Sequence, residues 1–143
     1  MYIDSTNADP HGGDTSLGGD LIAAFEPLML KYQVDAAFWG HHHSYQRTCA
    51  VHNFTCISPT NGTVHIVTGA AGAGFSTNLQ PTQPDWIEYV TAAVHGYVIA
   101  HVKERKTLTL DFIDAVHRTV LDSVTIENKF MEQSVSEVAV ASE

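Results

Sequence analysis

The chain has 143 residues, of which 44% are hydrophobic, and its 7 basic and 16 acidic side chains give a formal net charge of −9. This length is that of one domain with a buried core, and no apolar run approaches the roughly 18 residues that a membrane-spanning helix needs. No cluster of lysine and arginine occurs, which argues against a nucleic-acid-binding surface, because such a surface must replace phosphate counterions. The acidic balance does not exclude small phosphate esters, since a metal centre can supply local positive charge.

The first part of the chain predicts a loop, a helix and a strand, in that order. Residues 1–19 are rich in Gly, Asp, Ser, Thr and Asn and predict a loop. Asp20 suits the N-cap of a helix, and the apolar stripe of that helix would consist of Leu21, Phe25, Leu28, Met29 and Tyr32. The short apolar run Val34–Phe38, ended by Gly40, predicts a buried central strand.

The second part of the chain predicts mostly β-structure. The strand Val64–Thr68 leads into a glycine-rich turn at residues 69–74. We interpret this turn as a tight connection rather than a phosphate cradle, because no helix start or lysine follows it. Three segments with alternating apolar and polar residues then predict an antiparallel meander; they are residues 97–102, 107–112 and 120–126. Residues 127–143 carry no strong helical stripe and predict a frayed tail.

Three consecutive histidines follow the first predicted strand. A strand that stops at glycine and releases alternate histidines puts His41 and His43 where their imidazoles can reach a metal ion, and imidazole suits zinc and iron. An exposed polar turn would give the same tripeptide in a chain with nine histidines. The triplet alone therefore leaves both interpretations open.

The residues on either side of the triplet complete a longer motif. Gly-His-X-His followed by X-Tyr-X-Arg is the closing metal motif of the calcineurin-like metallophosphoesterases, and residues 40–47, GHHHSYQR, resemble its purple acid phosphatase version. Further segments resemble that family in its own order, namely residues 26–35, 64–72, 84–86 and 93–97. The resemblance covers residues 1–126 and implies an α/β (α+β) fold. In that fold, part of a metallophosphoesterase β-sandwich is flanked by helices and ends in an antiparallel meander.

Four motifs that precede the histidine loop in that family have no counterpart here. They are Asp-X-Gly, Gly-Asp-X-X-Tyr, Gly-Asn-His and a lone His shortly before a Pro. The segments Gly13–Leu17 and Gly19–Ala23 both begin with Gly-Asp but lack the required tyrosine. We therefore interpret the chain as an incomplete C-terminal portion of the family's catalytic domain, beginning within its fold.

The resemblance implies an acid phosphatase, which hydrolyses phosphoric monoesters at a dinuclear metal centre. That centre would contain Fe(III) together with Fe(II), Zn(II) or Mn(II). In the family's pattern His41 binds the divalent ion and His43 the ferric ion. His11 falls in a segment where relatives place substrate-contacting histidines, although the loop differs here.

Neighbouring side chains have supporting roles in this interpretation. His42 should point away from the ligands. Tyr45 and Arg47 should brace the loop, because the family's tyrosine ligand comes from the absent Gly-Asp-X-X-Tyr motif. Four histidines that fall in strand patterns are better interpreted as hydrogen-bonded structural residues; they are His65, His95, His101 and His117.

Two cysteines and two glycosylation sequons bear on the compartment. Cys49 and Cys56 follow the histidine loop, and sequons begin at Asn53 and Asn61. Family members with a similar Arg-Thr-Cys sequence after the loop are extracellular or vacuolar. Together these features favour a disulfide worth ~2 to 3 kcal/mol and a secretory route with a targeting signal outside this sequence. Two reduced, buried cysteines in a cytosolic protein are the alternative.

Three functions stay open on the sequence. Besides the acid phosphatase, the chain fits a secreted, glycosylated, non-catalytic module of the same fold, or another metallophosphoesterase such as a phosphodiesterase. The Trp39–His41 context and the cysteine pair favour the acid phosphatase branch over a phosphodiesterase. Only upstream sequence would separate the enzyme from the non-catalytic module. The physiological substrate and the choice of divalent metal cannot be inferred, and neither can the oligomeric state, although an oligomer is compatible with the sequence.

Overall fold

One helix and eight strands make up the part of the chain that this computed structural model describes, residues 1–6 and 14–128. The elements are α1 Asp14–Lys31, β1 Ala36–Trp39, β2 Tyr45–His52, β3 Thr55–Cys56, β4 Thr63–Thr68, β5 Ile87–Thr91, β6 Gly96–Lys103, β7 Thr107–Asp114 and β8 Val120–Glu127. The predicted mixed α/β fold is confirmed. The described residues contain a single helix rather than several flanking ones.

The strands form two sheets. In the first, β1 pairs parallel with β4, and β4 pairs antiparallel with β2; the far side of β2 pairs with β5 along its first half and with β3 at its end. The second sheet is the antiparallel meander β6–β7–β8. β6 and β7 pair without a break from Gly96 opposite Asp114 to Lys103 opposite Thr107, whereas the pairing of β7 with β8 shifts register between Phe112 and Ile113. The predicted meander is confirmed. Its sequence alternates between apolar and polar residues because an antiparallel sheet of this kind buries only one face.

Two hydrophobic clusters hold the layers together. The first lies between the two sheets and consists of Tyr45, Ala50, Val64, Ile66, Ala70, Leu110, Phe112 and Ile126. The second lies on the other face of the first sheet, where Met1, Tyr2, Val51 and Trp86 pack against Leu21, Ile22 and Met29 of α1. Strand β2 contributes to both clusters, so the first sheet is covered by the meander on one face and by the helix on the other.

The helix differs from its prediction in start and orientation. It begins at Asp14, not after Asp20, so the predicted loop 1–19 is too long. The predicted stripe is also rotated. Leu21 and Met29 pack on the core together with Ile22, whereas three members of the stripe are exposed, namely Phe25, Leu28 and Tyr32 at 43%, 47% and 60%. At 100° per residue, the packed face is centred about 40° from the predicted one.

The first strand also differs from its prediction. β1 spans Ala36–Trp39 rather than Val34–Phe38. Among the described residues it pairs only with β4, so it is an edge strand and not a central one. Phe38 is 50% exposed. The strand was predicted as buried because its residues are apolar, but composition alone does not reveal how many neighbours a strand has.

Three strands were not predicted at all. β2 contains Gln46, Arg47 and Thr48, and two of these polar side chains are almost fully buried. Because both faces of β2 are covered, its sequence does not alternate between apolar and polar residues. β3 and β5 are short partners on the edge of β2.

The last described strand includes the first residue of the predicted tail. Of the predicted tail 127–143, Glu127 ends β8 instead, and residues 129–143 lie outside the described part of the chain. Within that described part, no helix has the length and apolar character to cross a membrane.

Candidate functional site

The histidine loop leaves the carboxyl end of β1, next to the turn that leaves the parallel strand β4. The Gly69 amide donates to the Ser44 carbonyl at 2.9 Å, which fastens the two connections to each other. A Cβ atom on Gly69 would lie 1.9 Å from the carbonyl oxygen of His42, so only glycine permits this approach. The carboxyl edge of parallel strands is where α/β sheets bind ligands.

His43 is exposed, and its ring is oriented by a backbone carbonyl. Its Nδ1 lies 2.7 Å from the oxygen of Gly74. A carbonyl oxygen can only accept, so Nδ1 carries the proton and the Nε2 lone pair is left for another partner. The main chain of His43 pairs with Ser76 in both directions, accepting from the Ser76 amide at 3.1 Å and donating to its hydroxyl at 2.9 Å. A histidine held in this way has the tautomer and orientation that metal-ligating histidines show.

His41 is also exposed, and its backbone is in the left-handed region. Its φ is 76°, a conformation that non-glycine residues seldom adopt outside tight turns. Such a conformation persists only where the surrounding structure enforces it. The locations of His41 and His43 match the prediction of a loop after β1. Their role as metal ligands is untested by this geometry and stays a prediction.

His42, between them, is buried. It is 1% exposed, and its ring contacts Ser44 Oγ at 2.7 Å and Asn78 Oδ1 at 3.0 Å. The prediction that this side chain points away from the exposed pair is confirmed.

Within the described residues, the two exposed histidines are not joined by a third candidate ligand. The group of three or more metal-type donors found there is Cys49, Cys56 and Glu88, and its two sulfurs are joined in a disulfide. The described residues therefore do not complete a metal centre around His41 and His43.

Tyr45 and Arg47 connect the two sheets at the base of the loop. The Arg47 guanidinium donates to both carboxylate oxygens of Asp122, at 2.6 and 2.9 Å, and the Tyr45 hydroxyl donates to Asp122 Oδ2 at 2.8 Å. The Tyr45 ring is fully buried and stacks on Phe112 with 3.9 Å between centroids. Burial raises the pKa of Tyr45, and the hydrogen bonds to Asp122 raise the pKa of Arg47. These side chains tie β2, the strand that follows the loop, to the meander. That they brace the loop itself stays a prediction.

The histidines predicted to be structural contact neighbouring side chains. Trp39 Nε1 donates to Nδ1 of His65 at 2.9 Å, and burial lowers the pKa of His65 to about 3. His95 stacks on Phe75, next to the carbonyl that orients His43. His101 and His117 lie on the exposed meander against acidic partners. His11, predicted to contact substrate, lies outside the described residues.

The cysteine and sequon predictions fall on the hairpin β2–β3 and the loop that follows. Cys49 and Cys56 form a disulfide with 5.7 Å between Cα atoms, which confirms their pairing. Asn53, in the hairpin turn, and Asn61 are both exposed. Their glycosylation stays a prediction.

A sizeable cavity lies at the other end of the first sheet. It has a volume of about 380 Å³, and its lining includes Asp35, Pro59, Val64 and Ile126. Asp35 precedes β1, whereas the histidines follow it, so this cavity is not part of the histidine site.

Sequence reasoning missed the atoms that support the loop. The Gly74 carbonyl, Ser76 and Asn78 are more than 30 residues from the histidines that they contact. The one available signal was the glycine-rich turn, because glycine marks places where backbones approach closely.

Three comparisons with known proteins agree with this geometry. Residues 62–123 match a family described as iron/zinc purple acid phosphatase-like protein C. The chain is 32% identical to "Probable inactive purple acid phosphatase 1" of Arabidopsis thaliana over 117 residues, which is 76% of this chain and 19% of that protein. It is 29% identical to acid phosphatase A of Cryphonectria parasitica over 133 residues, which is 88% of this chain and 26% of that protein.

A solved structure gives the same relationship. Purple acid phosphatase PPD1 from yellow lupin (Lupinus luteus) seeds superposes on 70% of this chain with a TM-score of 0.65 and 29% identity. The match covers 19% of the lupin chain. The chain thus spans between 19% and 26% of the length of these three relatives.

Proposed function

Because the chain belongs to the purple acid phosphatase family, we propose that it forms part of a metal-dependent acid phosphatase and contributes two imidazole ligands to its dinuclear centre. The protein would hydrolyse phosphoric monoesters. Residues 1–126 would form the C-terminal portion of the catalytic domain. The observation that carries this proposal is the 2.7 Å hydrogen bond from His43 Nδ1 to the Gly74 carbonyl, which leaves Nε2 as the coordinating atom.

The two histidines would coordinate different ions. His41 would hold the divalent ion, Fe(II), Zn(II) or Mn(II), and His43 would hold Fe(III). When bound, such a pair supplies positive charge for the phosphate group and a water of lowered pKa. Carboxylate ligands would have to come from outside the described residues, since no carboxylate of the described residues is grouped with the two imidazoles.

The chain's own residues support such a site by geometry. The hydrogen bonds between His43, Gly74 and Ser76 hold one imidazole in a single tautomer. The close packing of Gly69 against the His42 backbone fixes the distance between the loop and the turn after β4. A rigid mounting of this kind keeps a ligand in place without a reorganisation cost when the ion binds.

An extracellular or vacuolar location is part of the proposal. The Cys49–Cys56 disulfide is typical of oxidising compartments, and exposed Asn53 and Asn61 are available for glycosylation. The disulfide alone does not identify the compartment, so glycan analysis of the secreted protein is the direct check.

A non-catalytic module of the same fold is the second candidate. Two observations favour it: the described residues do not complete a metal site, and one of the relatives carries the name "Probable inactive purple acid phosphatase 1". In this case the loop would keep its geometry without supporting turnover.

The test compares hydrolysis of an aryl phosphate by the 143-residue chain and by a protein extended upstream with the family's four missing motifs. The chain alone should be no faster than its His41→Ala/His43→Ala variant, because two imidazoles bind an ion weakly. The extended protein should be active. The same double substitution should then reduce turnover by more than the ~10–100-fold that loss of an outer-shell partner costs.

A matched control removes two exposed histidines from the meander, His101→Ala/His117→Ala, and should leave turnover and metal content unchanged. An extended protein that neither binds metal nor turns over substrate would support the non-catalytic module. Robust metal-dependent hydrolysis by the 143-residue chain alone would contradict the division of ligands proposed here.

A further inference from the structure

We propose that His42 is a positioning residue: its buried ring anchors the histidine loop so that the rings on either side are held outward. This role rests on the proposed function of His41 and His43 as ligands. His42 itself contacts no ion, because its ring is 1% exposed and both of its nitrogens face protein atoms.

The hydrogen bonds of the ring determine its tautomer. Asn78 Oδ1 only accepts, so His42 Nε2 carries a proton and donates to it. Nδ1 then accepts from the Ser44 hydroxyl at 2.7 Å, with the side-chain amide of Gln46 at 3.3 Å. The ring thus joins a residue of its own loop to a residue 36 positions later.

The same network reaches the N-terminal segment. Gln46 Oε1 accepts from the Asp4 amide at 2.6 Å, and its Nε2 donates to the Asp4 carbonyl at 3.1 Å. Asn78 donates to the Ser5 hydroxyl at 2.8 Å. His42 is therefore the centre of a buried polar cluster that ties together three separate segments of chain, residues 4–6, 42–46 and 78–80.

Because His42 lies between His41 and His43, anchoring its ring also restricts the directions in which their rings can point. Its immediate neighbours are the two exposed histidines, and one of them, His41, has a φ of 76°. A strained backbone keeps its conformation only when neighbouring contacts enforce it. With the middle ring fixed inward and the Gly69 turn packed against the His42 carbonyl, the loop has little freedom to rotate.

An apolar residue at position 42 would fill the same space but would leave Ser44 and Asn78 without the ring's hydrogen bonds. Buried polar groups without partners are costly, so the loop would shift to recover them. The position therefore affects the direction of the exposed rings and not only the stability of the fold.

The test measures loop geometry in the metal-free 143-residue chain at mildly alkaline pH. Long-range ¹H–¹⁵N correlation spectra report which ring nitrogen of His43 is protonated, and hydrogen exchange reports the Ser76 and Gly69 amides. In the wild type, Nδ1 of His43 should be protonated. In His42→Ala, the two ring nitrogens should average, and both amides should exchange about tenfold faster, as expected for the loss of one buried hydrogen bond.

Three further variants separate positioning from general stability. His42→Gln can still donate to Asn78 and should restore most of the wild-type signals. Asn78→Ala removes the partner from outside the loop and should change the His43 ring in the same direction as His42→Ala, even where the latter folds poorly. His65→Ala removes a second buried histidine of the described part of the chain and should leave the His43 ring unchanged.

Two results would overturn the proposal. One is an unchanged His43 ring and unchanged amide exchange in His42→Ala and Asn78→Ala. The other is an equal change in His65→Ala, since that would reflect lost stability alone. Metal binding by the extended wild-type protein is measured separately, so its absence would refute the proposed function without being confused with either result.

Discussion

The contact most open to a quantitative test is the one between Asp122 of the meander and the first sheet. Its carboxylate accepts two hydrogen bonds from Arg47 and one from Tyr45. The Arg47 and Asp122 side chains are only 13% and 7% exposed. Replacing Asp122 with Ala leaves a guanidinium and a hydroxyl without their acceptor between the two sheets.

The expected loss of stability follows from this burial. Removing one partner of a buried ion pair costs about 3–5 kcal/mol, because the remaining charge is desolvated and uncompensated. That is a large part of the ~5–15 kcal/mol by which domains are stable. Arg47→Leu should be costly as well. The double variant Arg47→Leu/Asp122→Ala should lose less than the sum of the two single losses, since it leaves no buried charge.

Equilibrium urea unfolding with the disulfide intact measures these differences. With a urea dependence of about 2 kcal/mol per molar, Asp122→Ala should lower the unfolding midpoint by about 2 M. The control is His101→Ala, which removes an exposed contact with Asp111 at 3.4 Å and should cost less than ~1 kcal/mol. A loss below ~1 kcal/mol for Asp122→Ala, or a double variant as unstable as the two singles summed, would refute the reasoning.

Three other changes test separate features. Gly69→Ala places a Cβ against the backbone of the histidine loop and should destabilise by about 3 kcal/mol in urea unfolding, whereas Gly74→Ala meets nothing within 4 Å and should be nearly neutral. Replacing the Cys49–Cys56 disulfide with two serines should cost ~2 to 3 kcal/mol, and non-reducing mass spectrometry should find no free thiol in the wild type. The hydrogen bond from His117 lowers the pKa of Asp114 from 3.8 to about 2, so this group stabilises the fold above pH 3.8 and loses that contribution as pH falls through 2; NMR titration of His117→Ala should show a raised pKa.

Sequence patterns predicted the elements in which one face is apolar and the other polar. The meander β6–β8 was found because its outward side chains include Thr107, Thr109 and Asp111, which alternate with Leu108, Leu110 and Phe112. Periodicity does not identify β2, which is covered on both faces and buries Gln46 and Thr48 in place of apolar side chains. Those polar side chains are there for hydrogen bonds to distant segments, and periodicity carries no information about such partners.

The helix shows a different limit of the same signal. Leu21, Phe25, Leu28 and Tyr32 do recur at helical spacing, so the prediction of a helix was correct. The spacing identifies an apolar face but not what that face packs against. In the described structure, α1 instead turns Ile22 and Met29 toward Trp86 and Val51, because the neighbouring sheet and N-terminal segment determine which side chains can be buried.

The histidine loop combines both kinds of information. Its position after β1 was predictable, since a strand end and a glycine are local signals. Its orientation was not, because it depends on the Gly74 carbonyl, and every residue carries a carbonyl. A contact made by a backbone carbonyl can be inferred from sequence only where the close approach of the backbone excludes a side chain and so requires glycine. Gly69 is such a glycine, because a Cβ at this position would lie 1.9 Å from the His42 carbonyl oxygen. A candidate ligand loop in a related sequence should therefore be sought not by its histidines alone but by the presence of a glycine directly after the neighbouring parallel strand.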